Sequence, residues 1–321
     1  MSSIFCLLLG SLKIKDSSCG KVSRDVKEVN VARFLYWALS MHRHCVQTQD
    51  GQELALWYQE PKASKVGDIL LIHGTFSDRS IFLGLKDYLA EQGYGGWLLE
   101  WRGHGESALA NEKYDMEVVG REDIKGAMDY LGEKGIGPLH CITHSGGGIA
   151  LTIFLIENPQ AHEIVRSITM FACQSFGANT GLKNYMSILA GKYISKVLGY
   201  TPAKLAASNH KNETYHMMQQ WFDWNLSGRF LSRRGKDYRA FMPSLRIPIF
   251  SLCAQGDRFI APPSGCRLFL DAFQNESNTF LVCGQETGFN EDFNHSRVIL
   301  SRNAEKEIWP LVLDWINANA E

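Results

Sequence analysis

The sequence predicts an α/β protein: a mostly parallel, doubly wound sheet carrying a helical insertion. Three observations predict it. Short apolar runs of strand character alternate with helical segments from residue 68 to the C-terminus, the pattern of parallel strands joined by crossover helices. The stretch 138–151, Pro-Leu-His-Cys-Ile-Thr-His-Ser-Gly-Gly-Gly-Ile-Ala-Leu, runs from an apolar strand through a glycine-rich turn directly into an apolar helix. Connections are short except for residues 174–245, which lack strand signals and are rich in aromatic residues and methionine. A structureless loop of that length is uncommon in a compact domain, so a helical cap is expected there.

Residues 1–30 read as a loosely attached leader. The apolar run 4–9 has no Lys or Arg before it and is far shorter than the ~20 residues of a spanning helix, so neither a signal peptide nor an anchor is expected and the cytoplasm is the expected location. Residues 31–41 are apolar and helix-compatible. Strands are expected at 44–48 and 53–59, joined through the hairpin signal Asp50-Gly51. Residues 68–73 (Asp-Ile-Leu-Leu-Ile-His) form a strand apolar on both faces, as in the centre of a parallel sheet. A helix over 80–92 and a strand over 95–101 follow, the strand ending in Arg102-Gly103-His104-Gly105-Glu106-Ser107. A helix over 118–133 leads into the 138–151 unit. Further strands fall at 165–173, 248–254 and 279–283, with a helix over 264–273. Ile308, Leu311, Val312, Trp315 and Ile316 recur at helical spacing, and Pro310 must either start that last helix or bend it. The organisation is thus a leader (1–30), a first core part (31–173), a cap (174–245) and a second core part (246–321).

With 45% hydrophobic residues the chain can bury a large core, and its net charge of −1 gives no reason to expect nucleic acid or an anionic membrane as partner. Cys141, Cys173, Cys253 and Cys283 fall in or beside apolar runs and read as reduced core residues. No later segment is apolar enough to span a membrane, and oligomeric state is not legible.

The chemistry centres on Thr143-His144-Ser145-Gly146-Gly147, a near match to G-x-S-x-G. A serine hydroxyl is a weak nucleophile until a base takes its proton and something holds the resulting oxyanion. A sharp strand-to-helix turn serves both needs, lifting Oγ of Ser145 above the sheet edge and aiming the Gly146 N–H at the substrate oxygen. The plain alternative is a glycine-rich turn with a serine N-cap. The base and its orienting acid belong at the carboxyl ends of other strands. Asp257 lies just past the strand 248–254, and His295 lies between the last strand and the C-terminal helix. Ser145, Asp257 and His295 occur in the order Ser…Asp…His. The loop after His73, turning at Gly74, supplies a second oxyanion donor through the N–H of Thr75, or failing that Phe76. His144 faces the cap or a neighbouring loop, and Gly147 gives the turn room.

Other groups compete less well. Glu286, Glu291 and Asp292 read as a solvated rim near His295. His104 reads as a loop residue packing near the site, and His42-Arg43-His44-Cys45 as strand residues rather than a metal site. Asp115 and Asp123 read as surface or capping groups. No cofactor and no metal are expected.

These motifs resemble the α/β-hydrolase superfamily. His73-Gly74 resembles its oxyanion loop, Glu100 to Ser107 its D-x-R-G-H-G-x-S loop, Thr143 to Gly147 its nucleophile elbow, Gly256-Asp257 with Ala261-Pro262 its acid loop, and Asn294-His295-Ser296 its histidine loop. The likeness extends from about residue 48 to the C-terminus and is nearest to capped, lysophospholipase- or esterase-like bacterial members. Glu100 stands where Asp is common and Thr143 where Gly is common. The resemblance implies a cofactor-free serine hydrolase of carboxylic esters working through an acyl-enzyme on Ser145, with a small-molecule ester as substrate. The aromatic and methionine content of the cap points to an apolar, lipid-like acyl group. An acyltransferase with the same triad, or a non-catalytic binding module on this fold, are the alternatives.

Overall fold

The structure, a computed structural model, describes residues 41–203 and 211–320. The expected leader, and the expected helix over 31–41 except Met41, lie outside the described residues.

The core is an eight-stranded sheet. Its strands are β1 (His42–Gln47), β2 (Glu53–Gln59), β3 (Gly67–Ile72), β4 (Tyr94–Glu100), β5 (Leu139–His144), β6 (Val165–Phe171), β9 (Ile249–Ala254) and β10 (Thr279–Cys283), with a small ribbon of β7 (Tyr200–Thr201) and β8 (Glu213–Thr214) apart from it. The order across the sheet is β1-β2-β4-β3-β5-β6-β9-β10. β2 pairs antiparallel with both β1 and β4, and every pairing from β4 to β10 is parallel. The chain steps from β3 to β4 in one direction and then crosses back to β5 on the other side, so β3 and β5 lie side by side at the switch in winding. Ligands bind at such a crevice in open α/β sheets.

The central strands form where apolar runs are continuous, whereas the edge strand β1, His-Arg-His-Cys-Val-Gln, is mostly exposed. Ile69, Leu70, Leu71 and Ile72 of β3 are all buried, as a strand covered on both faces requires. The main helices are α1 (Leu83–Glu91), α2 (Lys125–Glu133), α3 (Gly146–Glu157), α4 (Leu182–Leu198), α5 (Tyr215–Ser227), α6 (Pro263–Asp271) and α7 (Trp309–Ala318). Residues 146–156 of α3 are buried on all sides, which marks α3 as the helix packed at the centre of the molecule. Pro310 lies in the first turn of α7 and starts that helix, where its missing N–H costs nothing. The expected helix over 118–133 is broken in character: residues Val119–Ile124 form a π-helical segment before α2. Residues 174–245 hold α4, α5 and the β7–β8 ribbon. No helix among the described residues is long and apolar enough to cross a membrane.

One expectation is corrected. Asp123 is fully buried, not a surface or capping group. It accepts from the backbone N–H of Arg102 at 2.9 Å and from its Nε at 2.8 Å, while Arg102 also reaches Asp50 at 2.7 Å. Its polar character hid an ion pair joining two segments distant in sequence. Asp115 does cap, accepting from Val118 N–H at 3.0 Å. Replacing Asp123 by alanine strands the Arg102 guanidinium with only the rim carboxylate of Asp50. The expected cost is about 3–5 kcal/mol, read as a lowered urea midpoint with unchanged m-value.

Candidate active site

β5 and α3 meet at Ser145 with no loop between them. Ser145 has φ 51° and ψ −119°, a conformation that costs of order 1–3 kcal/mol outside glycine and persists only where the surroundings impose it. Three features impose it here. Ser145 N–H donates to Phe171 O at 2.9 Å, extending the β5–β6 ladder one residue past the strand. Gly147 presses against β3: a side chain there would begin 2.4 Å from Ile72 O and 2.5 Å from His73 O. Thr143, at the position where a glycine was expected, is buried and donates from Oγ1 to Thr169 O at 3.3 Å, so its side chain is turned toward β6. Gly148 yields the space this takes, since a Cβ there would lie 3.0 Å from Thr143 Oγ1 and 2.6 Å from Cys173 Sγ. The third glycine of the run offsets the missing first one.

The Gly146 N–H opens α3 and has no intrahelical partner. A Cβ built on Gly146 would lie 3.3 Å from Thr75 N, so the Thr75 backbone packs directly against Gly146, the residue after Ser145. Thr75 N–H is aimed by its neighbour. Buried His73 donates from Nδ1 to Gly74 O at 2.8 Å, and its Nε2 accepts from Trp101 N–H at 3.4 Å, which fixes the tautomer. In a trans peptide the N–H points opposite to the C=O, so holding Gly74 O turns Thr75 N–H the other way. The alternative donor, Phe76 N–H, is directed to Glu213 Oε2 at 3.5 Å.

Asp257, 5% exposed, follows β9 by three residues. Its Oδ1 accepts from the N–H groups of Phe259 (3.3 Å) and Ile260 (3.0 Å), and its Oδ2 from Ala261 N–H (3.0 Å). His295 completes the set, donating from Nδ1 to Oδ2 at 2.5 Å. Burial pushes the Asp257 carboxyl up, but the adjacent His295 and the backbone donors outweigh it and hold the group below the usual carboxylate range. With Nδ1 engaged, Nε2 is the nitrogen of His295 left for proton exchange. Ser145 and His295 line one cavity of about 520 Å³, and no hydrogen bond joins them among the described residues. In unliganded sites such bonds commonly close only around substrate.

His144, the residue beside the serine, donates from Nε2 to the backbone O of His295 at 3.0 Å, while its Nδ1 is buried without a partner. Burial, then the nearby His295, push its pKa down to about 3, so it is neutral and ties β5 to the His295 loop. His140, buried in the same strand, is lowered by burial to about 4. Both bind protons less readily folded than at the ordinary 6.5 of the unfolded chain. The unfolded state therefore takes up more protons below that pH, and stability falls as pH drops from about 6.5 toward 4. Tm followed across that window is expected to decline steadily, and less steeply in His144→Gln.

His104 is buried and meets Glu213 Oε2 through Nε2 at 2.9 Å. Glu213 itself had no signal in the sequence: it lies 109 residues from His104, and only the fold brings it to the loop after β3. Glu291 pairs with Arg297 at 2.8 Å and Glu286 accepts from Gln255 at 3.3 Å, both away from Asp257. His44 Nδ1 meets Tyr130 Oη at 2.9 Å, and no cluster of three metal-ligating side chains occurs among the described residues.

The rest of the cavity wall is mostly apolar, with the hydroxyl residues Ser77, Ser187, Thr201 and Ser296 among it. α4 and α5 supply Ala190, Ile194, Met218, Trp221 and Phe222, and Phe259 and Leu300 come from the core. Among the described residues no Asp, Glu, Lys or Arg lines it.

A parallel sheet switching its winding beside a strained serine, with a carboxylate-bound imidazole on the same cavity, defines a serine hydrolase of the α/β-hydrolase superfamily. Residues 63–283 match the family described as serine aminopeptidase, S33, and the chain belongs to that family. Similar solved structures include an esterase from Pyrococcus furiosus (14% identity, TM-score 0.62, 95% of this chain and 97% of that one). An esterase from Exiguobacterium antarcticum (13%, 0.61, 86% and 100%) and a thermophilic esterase from Thermogutta terrifontis (15%, 0.58, 87% and 100%) are similar too. At these identities the likeness is one of fold. No curated protein sequence matches the chain.

Proposed function

We propose that the protein hydrolyses carboxylic esters with apolar acyl groups, using Ser145 as nucleophile, His295 as general base and acid, and Asp257 as its orienting carboxylate. The observation that carries the reading is the 2.5 Å bond from His295 Nδ1 to a buried Asp257, on the cavity that Ser145 lines. In this mechanism Ser145 Oγ attacks the ester carbonyl as His295 Nε2 takes its proton, and the N–H groups of Gly146 and Thr75 receive the oxyanion. His295 then protonates the departing alcohol, leaving an acyl-enzyme. Water attacks that ester by the same route in reverse and frees the acid. Two N–H donors of this kind are worth about 3 kcal/mol each. The insertion 174–245 acts as a cap whose helices wall the acyl pocket.

The family's name raises aminopeptidase activity. A free α-amino group is a cation and calls for a carboxylate in its pocket. The wall described above offers none, which favours an uncharged acyl group. A panel of p-nitrophenyl esters against aminoacyl p-nitroanilides tests this. kcat/KM is expected to rise with acyl length beyond acetate and to be negligible for the anilides. A preference for aminoacyl anilides would overturn the ester reading.

A further inference from the structure

The aromatic and methionine side chains of the insertion divide into three groups. Met218, Trp221 and Phe222 of α5 face the cavity, and Met217 and Trp224 pack in the core. Those of α4 do neither. Leu182 is 78% exposed, Tyr193 60% and Val197 85%, with Tyr185 and Met186 also exposed. At about 100° per residue these five positions fall within roughly 120° of the helix circumference. Only Ile188 and Ser195 of this 17-residue helix are buried.

We propose that α4 is a docking helix for an anionic lipid surface, laying this stripe among the acyl chains. Three features favour that occupant. The helix carries Lys183, Lys192 and Lys196 and no acidic residue, a local positive charge hidden by the chain's net −1. Lys192 is paired with Asp223 at 2.5 Å, and Lys183 and Lys196 are exposed. Lys183 and Lys192 flank the stripe on either side, and Lys196 lies within it near the C-terminal end of the helix, where its long stem lets the ammonium reach the headgroups. An apolar face with tyrosines and such lysines is the composition of helices that lie in a membrane interface. The stripe also runs into the cavity: Ala190 and Ile194, next around the helix, are exposed or at its edge and line the pocket wall. A molecule leaving the lipid would thus pass from one apolar surface to another without crossing water. A second copy packed face to face fits less well, since it would bring Lys183 and Lys196 against their own kind with no acid on the helix to answer them. The inference rests on the ester reading only for what passes into the pocket; docking itself is measured without turnover.

The test is flotation of the full chain with vesicles of phosphatidylcholine alone or doped with phosphatidylglycerol, comparing wild type with Leu182→Glu/Val197→Glu. Neither residue lines the cavity. Wild type is expected to float with the anionic vesicles, and the double variant to bind roughly tenfold or more weakly. Both should hydrolyse a soluble short-chain p-nitrophenyl ester within about twofold of each other. Equal binding by the two proteins, no binding by wild type, or a dimer that the variant dissociates would each overturn the proposal. Loss of ester hydrolysis by wild type would instead sink the functional reading, whatever the vesicles show.

Discussion

Ser145→Ala is expected to lower ester hydrolysis by about 10⁴–10⁶-fold, with little effect on stability. The alanine keeps the turn but removes the atom that carries the acyl group in the proposed mechanism. His295→Ala should lose about as much, because without Nε2 the hydroxyl keeps its proton. The two losses should not add. Side chains acting as one unit fail together, so the double variant should match either single one. Residual rate above that of water would come from the Gly146 and Thr75 N–H groups, which neither substitution touches. Full activity in Ser145→Ala, or two losses that multiply, would place the chemistry elsewhere.

Asp257→Asn should cost about 10⁴-fold in kcat with KM nearly unchanged. The carboxylate accepts four bonds: two N–H groups on Oδ1, and Ala261 N–H together with His295 Nδ1 on Oδ2. An amide that keeps its oxygen toward Phe259 and Ile260 must turn its NH₂ toward His295. Two donors then face each other. The imidazole relieves this by moving its proton to Nε2, the atom that accepts from Ser145 in the proposed mechanism, so the base would be lost while the cavity is unchanged. Asp257→Glu should recover little, since a longer side chain cannot meet the same backbone donors. A full-rate Asp257→Asn enzyme would remove the carboxylate from the mechanism.

Much of the fold is legible in the sequence alone. Apolar runs located the central strands β3, β5 and β9 to within about two residues, because strands buried on both faces leave little choice of sequence, while the exposed β1 was placed by its hairpin turn. Strand–helix alternation gave the parallel sheet, and the position of Asp257 and His295 after β9 and β10 follows from where parallel strands end. What stayed hidden depends on contacts that local pattern does not encode. The pairing of Asp123 with Arg102 and of His104 with Glu213 joins segments 21 and 109 residues apart. The role of Gly148 in making room for Thr143 emerges only from packing. The aromatic and methionine content of 174–245 points to an apolar pocket, yet the structure leaves Tyr185, Met186 and Tyr193 of α4 at the surface, because composition does not tell which apolar environment a side chain meets.

Mass-spectrometric mapping of a fluorophosphonate adduct tests the centre of the account most directly. The phosphonyl group should sit on Ser145 in the native chain, and labelling should vanish in Ser145→Ala and His295→Ala. An adduct on another side chain, or undiminished labelling of Ser145→Ala, would contradict it.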